Sequence, residues 1–294
     1  MIALLENLMN GLSLGSVYAI IALGYTMVYG IAKMLNFAHG DVIMVGAYIA
    51  FYVMYDLGMP PLLAIVESMV LCTVMGIMIE RLAYKPLRQA TSLAVLITAI
   101  GMSYLLQNSA LLIWGSNTKS FPDIINISAI SLFDGRMTIR GETIVNVLVC
   151  VLVMVALTLF VNKTKMGKAM RVVSEDRGAA ELMGIDVNTT ISLTFAIGSA
   201  LAAVAGVLLC ASYPALTPTA GSLPGIKAFT AAVFGGIGSI PGAMVGGILL
   251  GIIEILGNAY ISTQLGDAIV FAVLIIVLLV KPTGLLGKKI HEKV

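Results

Sequence analysis

Two carboxylic acids, Glu67 and Glu254, stand inside long apolar runs, where an ionisable side chain is costly and by default marks a functional site. Either could carry a proton, bond to a neighbouring helix or face a permeation path. Asn258 lies one helical turn beyond Glu254 and adds a second polar group on the same face. The stretch from Lys33 to Asp41 holds Asn36 and His39, one of only two histidines in the chain. A metal or hydrolytic centre there would need a second histidine, cysteine or carboxylate at ligand spacing. The sequence offers none, and it has no nucleophile motif of the Gly-x-Ser-x-Gly type. Gly284 to Lys289 has the wrong spacing for a phosphate loop and no Ser or Thr after the lysine. The chain is therefore not expected to be an enzyme or to bind a cofactor of its own.

Two further stretches carry information. Phe234 to Gly242 contains Gly236, Gly238 and Pro241, a density of helix breakers that membrane depth tolerates only against protein or a water-filled cavity. These residues, with Glu67, Glu254, Asn258, Asn36 and His39, are the expected path or gate; a plain tight turn is the alternative for the glycine-rich stretch. Asn162 to Asp186 concentrates nine of the chain's 17 basic and 15 acidic side chains. Ser174 suits an N-cap, Glu175 and Asp176 suit the positive end of a helix, and Gly184 suits its stop. The expectation is one short helix that offers Ala179, Leu182 and Met183 to a groove in a soluble partner.

The elements that position these residues follow from composition. Charged residues are 11% of the chain, apolar residues 59%, and the mean hydropathy is +1.03, whereas soluble domains carry about 25% charge. Runs long enough for about 30 Å of hydrocarbon recur near 8–32, 42–58, 61–79, 92–114, 144–161, 187–211, 243–262 and 264–280, with a shorter piece near 226–237. The fold class is an all-α polytopic membrane protein with eight or nine crossings, a single domain over 1–294, and no leader expected to be removed. Cys72, Cys150 and Cys210 read as buried small hydrophobes.

Basic residues orient such a chain, because cytoplasmic loops are rich in Lys and Arg. Loops 80–91 and 162–186 and the tail from Lys281 belong inside; Lys119, Arg136, Arg140 and Lys227 are left outside. The N-terminus is then outside, the C-terminus is cytoplasmic, and the odd number of crossings favours counting 226–237. In the outer loop 115–143, the segments Ile127 to Phe133 and Met137 to Thr143 flank Asp134-Gly135 and predict a small β-hairpin. Nothing in the charge distribution suggests nucleic acid.

Gly24 to Gly30, Leu35 to Asp41 with Gly46-Ala47-Tyr48, the loop Arg171 to Asp186, and Gly235 to Ala243 together resemble the permease subunits of ABC importers for branched-chain amino acids, specifically the shorter, H-type subunit. The resemblance covers nearly the whole chain. It implies a longer, M-type sister permease, two cytoplasmic ATPases that hold ATP and Mg, a periplasmic amino-acid-binding protein, and a bacterial inner membrane. It also implies that Ser174 to Ile185 is the coupling helix, with Glu175, Asp176, Ala179, Glu181, Leu182, Met183 and Gly184 meeting an ATPase. The full Glu-Ala-Ala form of the wider importer motif is absent. Importers of urea and short amides use similar permeases and remain an alternative, as does a proton-coupled secondary amino-acid transporter built on Glu67 or Glu254.

Overall fold

The computed structural model describes residues 2–125, 127–132 and 137–287. Among them are eleven α-helices: α1 (Ile2–Ala32), α2 (His39–Tyr55), α3 (Pro61–Ile79), α4 (Ser92–Trp114), α5 (Gly141–Lys163), α6 (Lys165–Glu175), α7 (Arg177–Leu182), α8 (Val187–Ser212), α9 (Ser222–Gly235), α10 (Ile240–Tyr260) and α11 (Gly266–Val280). Seven of the helical stretches are long and apolar enough to cross a membrane, while α2 and α9 are shorter. The expected spans 61–79 and 92–114 coincide with α3 and α4, because their ends carry explicit signals. Pro61 starts α3, Thr91 caps α4 by accepting from the Ala94 N–H, and Gly115 at φ +81° stops it. Beyond α3 the chain winds on as a π-turn, Glu80–Tyr84, and a 3-10 turn, Lys85–Leu87.

The bundle is organised around α1, which is buried over most of its length and packs against α5, α8, α9 and α10. Apolar helices gain no hydrophobic free energy by leaving lipid for one another, so small residues that let backbones touch must hold the bundle. A Cβ on Gly15 would lie 2.6 Å from the Ile248 carbonyl oxygen, and one on Gly247 would lie 2.4 Å from the Ala19 nitrogen. Gly247 and Gly251, four residues apart, thus serve the α1–α10 seam. Gly206 does the same for α8 and α2: a Cβ there would sit 2.2 Å from the Ile43 carbonyl oxygen.

The outer loop forms the expected hairpin, β2 (Ile130–Leu132) antiparallel to β3 (Met137–Ile139) with Ile130 opposite Ile139. Its Asp134-Gly135 turn lies outside the described residues. The Thr138 N–H donates to Glu6 Oε1 at 3.2 Å, which ties the hairpin to the start of α1. A second two-stranded pair, β1 (Lys119–Ser120) with β4 (Ala215–Leu216), was not visible in the sequence. This end of the bundle is the hairpin face; the opposite end, which carries α6 and α7, is the loop face.

The charged loop departs from the single helix expected. Thr164 caps α6 by accepting from the Gly167 N–H at 2.9 Å. Asp176, extended at φ −154°, breaks the helix and caps α7 by accepting from the Ala179 N–H at 3.0 Å. Ser174, the expected cap, instead donates from its hydroxyl to the Arg171 carbonyl within α6 at 2.7 Å, and Glu175 is the last residue of α6. Gly184, at φ +77°, ends the segment as expected.

Replacing Gly206 by Val drives a side chain into the α2 backbone and is expected to cost about 1–3 kcal/mol. The thermal unfolding midpoint in detergent should fall, whereas Gly101→Ala, whose Cβ would meet open space, should leave it unchanged. Equal midpoints for both variants would contradict the backbone-contact account of packing.

Candidate functional site: a coupling surface and a buried polar layer

On the loop face, α7 buries Ala180, half-buries Arg177 and exposes the rest. Ala180 is fully buried, while Leu182 is 91% and Met183 72% exposed, with Ala179, Glu181 and Gly184 exposed beside them. Two large apolar side chains held out at a helix end suit a partner's groove. Arg177, at the start of α7, turns back and donates to the carbonyl oxygen of Ala32, the last residue of α1. A cation there satisfies one of the carbonyls that a helix end leaves free. Lys33 then leaves the helix at φ +55°. The contact joins α7 to the end of α1, just before the segment 33–38. Asp186 caps α8 by accepting from the Asn188 and Thr189 N–H groups at 2.9 and 3.2 Å. The Thr189 hydroxyl also donates to it, and these bonds hold its carboxyl below the usual range, so the cap stays charged at neutral pH.

Behind α7 lies an ion pair that the sequence did not single out. Glu80, with no exposed surface, pairs with Arg88 and accepts from the Ser192 hydroxyl at 2.6 Å. Arg88 also donates to Asn188, so the end of α3 is fastened to the start of α8. Nearby, the Tyr84 hydroxyl donates to Asn36 Oδ1 at 2.9 Å. Asn36 is thereby fixed in the link between α1 and α2, on the route from α7.

Deeper in the bundle, α2 does not begin at the membrane surface. His39 packs on Gly24, where a Cβ would come 2.6 Å from its Nε2, and Gly24 lies eight residues, or about 12 Å, above the end of α1. The start of α9 meets it there: a Cβ on Gly221 would fall 1.8 Å from the Gly40 carbonyl oxygen. Two helix N-termini thus converge inside the bundle. An acidic side chain is favourable beside such positive ends, and Asp41 supplies it from the first turn of α2. Gln107 of α4 bonds through Nε2 to Asp41 Oδ1 at 2.9 Å and approaches the Ser103 and Ser222 hydroxyls at 3.1 Å each. Three helices meet at this one amide. The His39 ring lies edge-on to Tyr25, and its Nε2 has no hydrogen-bond partner among the described residues.

Nearer the hairpin face, Lys227 corrects the sequence reading. It was left on the outer side as an ordinary surface charge, yet it is 5% exposed within α9, and its ammonium lies 2.7 Å from Glu254 Oε1 and 2.6 Å from Asp267 Oδ1. The charge-bias rule places every lysine in a loop unless a partner is known, and neither partner is near it in sequence. Asn258 lines two cavities here, one of which Glu254 also lines. Glu67 is half-buried on α3, which packs on α2 and α8, and has no ion-pair partner among the described residues. The two intramembrane acids therefore belong to different parts of the bundle.

Gly236 and Gly238, at φ +109° and +92°, form a tight turn between α9 and α10 on the loop face. Leu285 and Leu286 donate their N–H groups to the carbonyls of Phe234 and Gly235 at 2.9 Å, closing the chain's end over the turn. Ser239 caps α10, and Pro241 is exposed in its first turn. The stretch is the tight turn held as the alternative; the interrupted backbone at depth is instead at His39–Gly40 and Gly221–Ser222.

The sequence profile described as "Branched-chain amino acid transport system / permease component" matches residues 7–278. The chain belongs to this family. It is 47% identical over 302 residues to the "High-affinity branched-chain amino acid transport system permease protein LivH" of Escherichia coli (strain K12), with 99% of this chain and 97% of that one covered. It is 48% identical over 303 residues to the protein BraD of Pseudomonas aeruginosa, described in the same words, covering 99% and 98%. Among solved structures, PsaBC from Streptococcus pneumoniae, in complex with a Fab, shares the fold with a TM-score of 0.51, 15% identity, and 93% and 91% of the two chains covered. The permease is a transport component.

Glu80→Ala should destabilise the permease by about 3–5 kcal/mol, because it leaves Arg88 charged and without its buried partner. Replacing both by apolar residues of similar volume should recover most of that loss. Thermal unfolding of the single and double variants checks this, and a single variant no worse than the double would contradict it.

Proposed function

We propose that this permease is the H-type subunit of an ATP-driven importer of branched-chain or similar apolar amino acids in a bacterial inner membrane. The observation that carries this reading is α7, which exposes Leu182 and Met183 outward and binds the end of α1 inward through Arg177. A chain whose sequence carries no phosphate-loop motif needs such a handle. The longer M-type sister permease completes the path, two ATPases hold ATP and Mg, and a periplasmic binding protein delivers the substrate. Lys163, Lys165, Lys168, Arg171 and the 80–91 loop put the basic residues on the loop face, which supports a cytoplasmic loop face and C-terminus and an N-terminus outside. The exposed apolar faces of α3, α4, α5 and α11 meet lipid or the sister permease.

In this mechanism, closure of the ATPases on ATP displaces α7 as a rigid body. Ala180 and the Asp176 cap keep the helix intact, and Arg177 passes the displacement to Ala32. The link 33–38, pinned by Asn36 to Tyr84, then shifts the start of α2 against Gly24 and the start of α9. That junction is the gate, and access changes because two packings of the same helices exchange. His39, large and buried between Gly24 and Tyr25, is the residue whose displacement opens or fills the path. Glu181 and Gly184 shape the docked end of α7, where a Cβ at Gly184 would be strained.

Leu182→Asp should abolish co-purification of the ATPases while leaving the chain in the membrane. Arg177→Ala should keep the ATPases bound yet reduce ATP-driven leucine uptake at least tenfold, as a cut in the linkage requires. Retained ATPase binding in Leu182→Asp, together with unchanged uptake in Arg177→Ala, would overturn the assignment of α7.

A further inference from the structure

The span α5 ends among basic side chains that the mechanism above does not use. Leu148, Leu152, Val155 and Leu159 form one exposed apolar row along it, and Lys163 stands at the loop-face end of that row. A lysine at the end of a spanning helix reaches for the headgroup layer. The chain then turns at once into α6, whose first turn is held at the same level. A Cβ on Gly167 would lie 2.3 Å from the Phe160 carbonyl oxygen, so α6 folds back against the last turn of α5. Along α6, Gly167, Met170 and Val173 are buried, while Lys165, Lys168 and Arg171 are exposed on the opposite side. A helix with this pattern at a membrane boundary is suited to lie along the interface.

Among the described residues, none of Lys163, Lys165, Lys168 and Arg171 has an ion-pair partner; Arg171 only approaches Asn162 Oδ1, at 3.4 Å. The acids of this loop lie elsewhere, with Glu175 and Asp176 where α6 meets α7 and Glu181 on α7. The loop is thus divided into a basic end beside α5 and an acidic end that exposes Leu182 and Met183. We propose that Lys163, Lys165, Lys168 and Arg171 form a docking surface for the headgroup of an anionic phospholipid in the leaflet at the loop face. Four clustered cations beside a spanning helix attract such lipids, and the apolar row of α5 takes the acyl chains. The surface that meets an ATPase begins beyond it, at α7. The inference rests on the importer reading for the side of the membrane, the cytoplasmic leaflet, and adds that these cations hold a lipid as well as orient the chain.

The test uses the complete assembly with its sister permease and ATPases, purified in detergent and stripped of lipid. It is offered equal amounts of phosphatidylglycerol and phosphatidylcholine with the same acyl chains, and the retained lipids are counted by native mass spectrometry. Phosphatidylglycerol should be retained about tenfold or more over phosphatidylcholine. Lys165→Gln, Lys168→Gln and Arg171→Gln together should remove most of that preference and keep the ATPases bound; all three side chains are exposed, so the fold should tolerate the change. Lys165→Arg with Lys168→Arg keeps the charge and should keep the preference. Arg81→Gln with Lys85→Gln, exposed cations of the neighbouring loop, should also keep it. Equal retention of the two lipids by the wild type, or an unchanged preference in the triple variant, overturns the surface. Displacement of the bound phosphatidylglycerol by millimolar inorganic phosphate overturns it in favour of a free-anion site, and loss of the ATPases from the triple variant overturns it in favour of an ATPase contact. A wild-type chain that carries no ATPases at all sinks the importer reading, whatever the lipid ratio.

Discussion

Backbone contact along α1 is the constraint on which the rest of this permease depends. In a hydrocarbon solvent, apolar side chains do not drive helices together, so α1 and α10 are joined where Gly15, Gly247 and Gly251 let main chains touch. The same economy sets the start of α2 against Gly24 and the start of α9 against Gly40. Contacts of this kind have almost no slack. A helix seated by glycine on glycine cannot bend gradually, and a small displacement at one end moves the whole seam to another packing or leaves it in place.

Polar groups are placed where that constraint leaves room. The Glu80–Arg88 pair closes the loop end, the Asp41–Gln107 node joins three helices at the converging helix starts, and the Lys227–Glu254–Asp267 cluster fills the space beside α9 nearer the hairpin face. Each layer contains charge or a strong acceptor. Each also joins helices from distant parts of the chain, so these bonds specify register between elements that small-residue packing alone would leave free to slide. The Arg177 contact differs from them. It is half-buried at the loop face and joins α7 to α1 through a single carbonyl, and in the proposed mechanism it is the connection through which an external force enters.

Much of the fold was legible in the sequence because membrane spans are set by length and hydropathy. The expected spans matched α3 and α4 at both ends, where Pro61 and Thr91 act within their own turns. Boundaries failed where tertiary contacts decide them. The second span was read as 42–58 but runs from His39 to Tyr55, since the link before it folds back into the bundle. The coupling loop was read as one helix from Ser174 because Ser is a good cap; Asp176, two residues on, is an equally good one and is the residue that caps, so it splits the helix. The site was less legible than the fold. Glu254 and Asn258 were visible as polar groups in an apolar run, whereas Lys227 and Glu80 were not, since their meaning lies in partners 27 and 112 residues away.

In the proposed mechanism this permease is moved through α7 by ATP hydrolysed on other chains, not by an ion gradient acting on its buried acids. The most direct measurement is leucine uptake into vesicles containing the permease, its sister, the ATPases and the binding protein, at constant ATP, with and without a protonophore. Uptake should need ATP and continue when the proton gradient is collapsed. Uptake that stops with the protonophore while ATP is unchanged would contradict it and return Glu254 and Glu67 to the role of proton carriers.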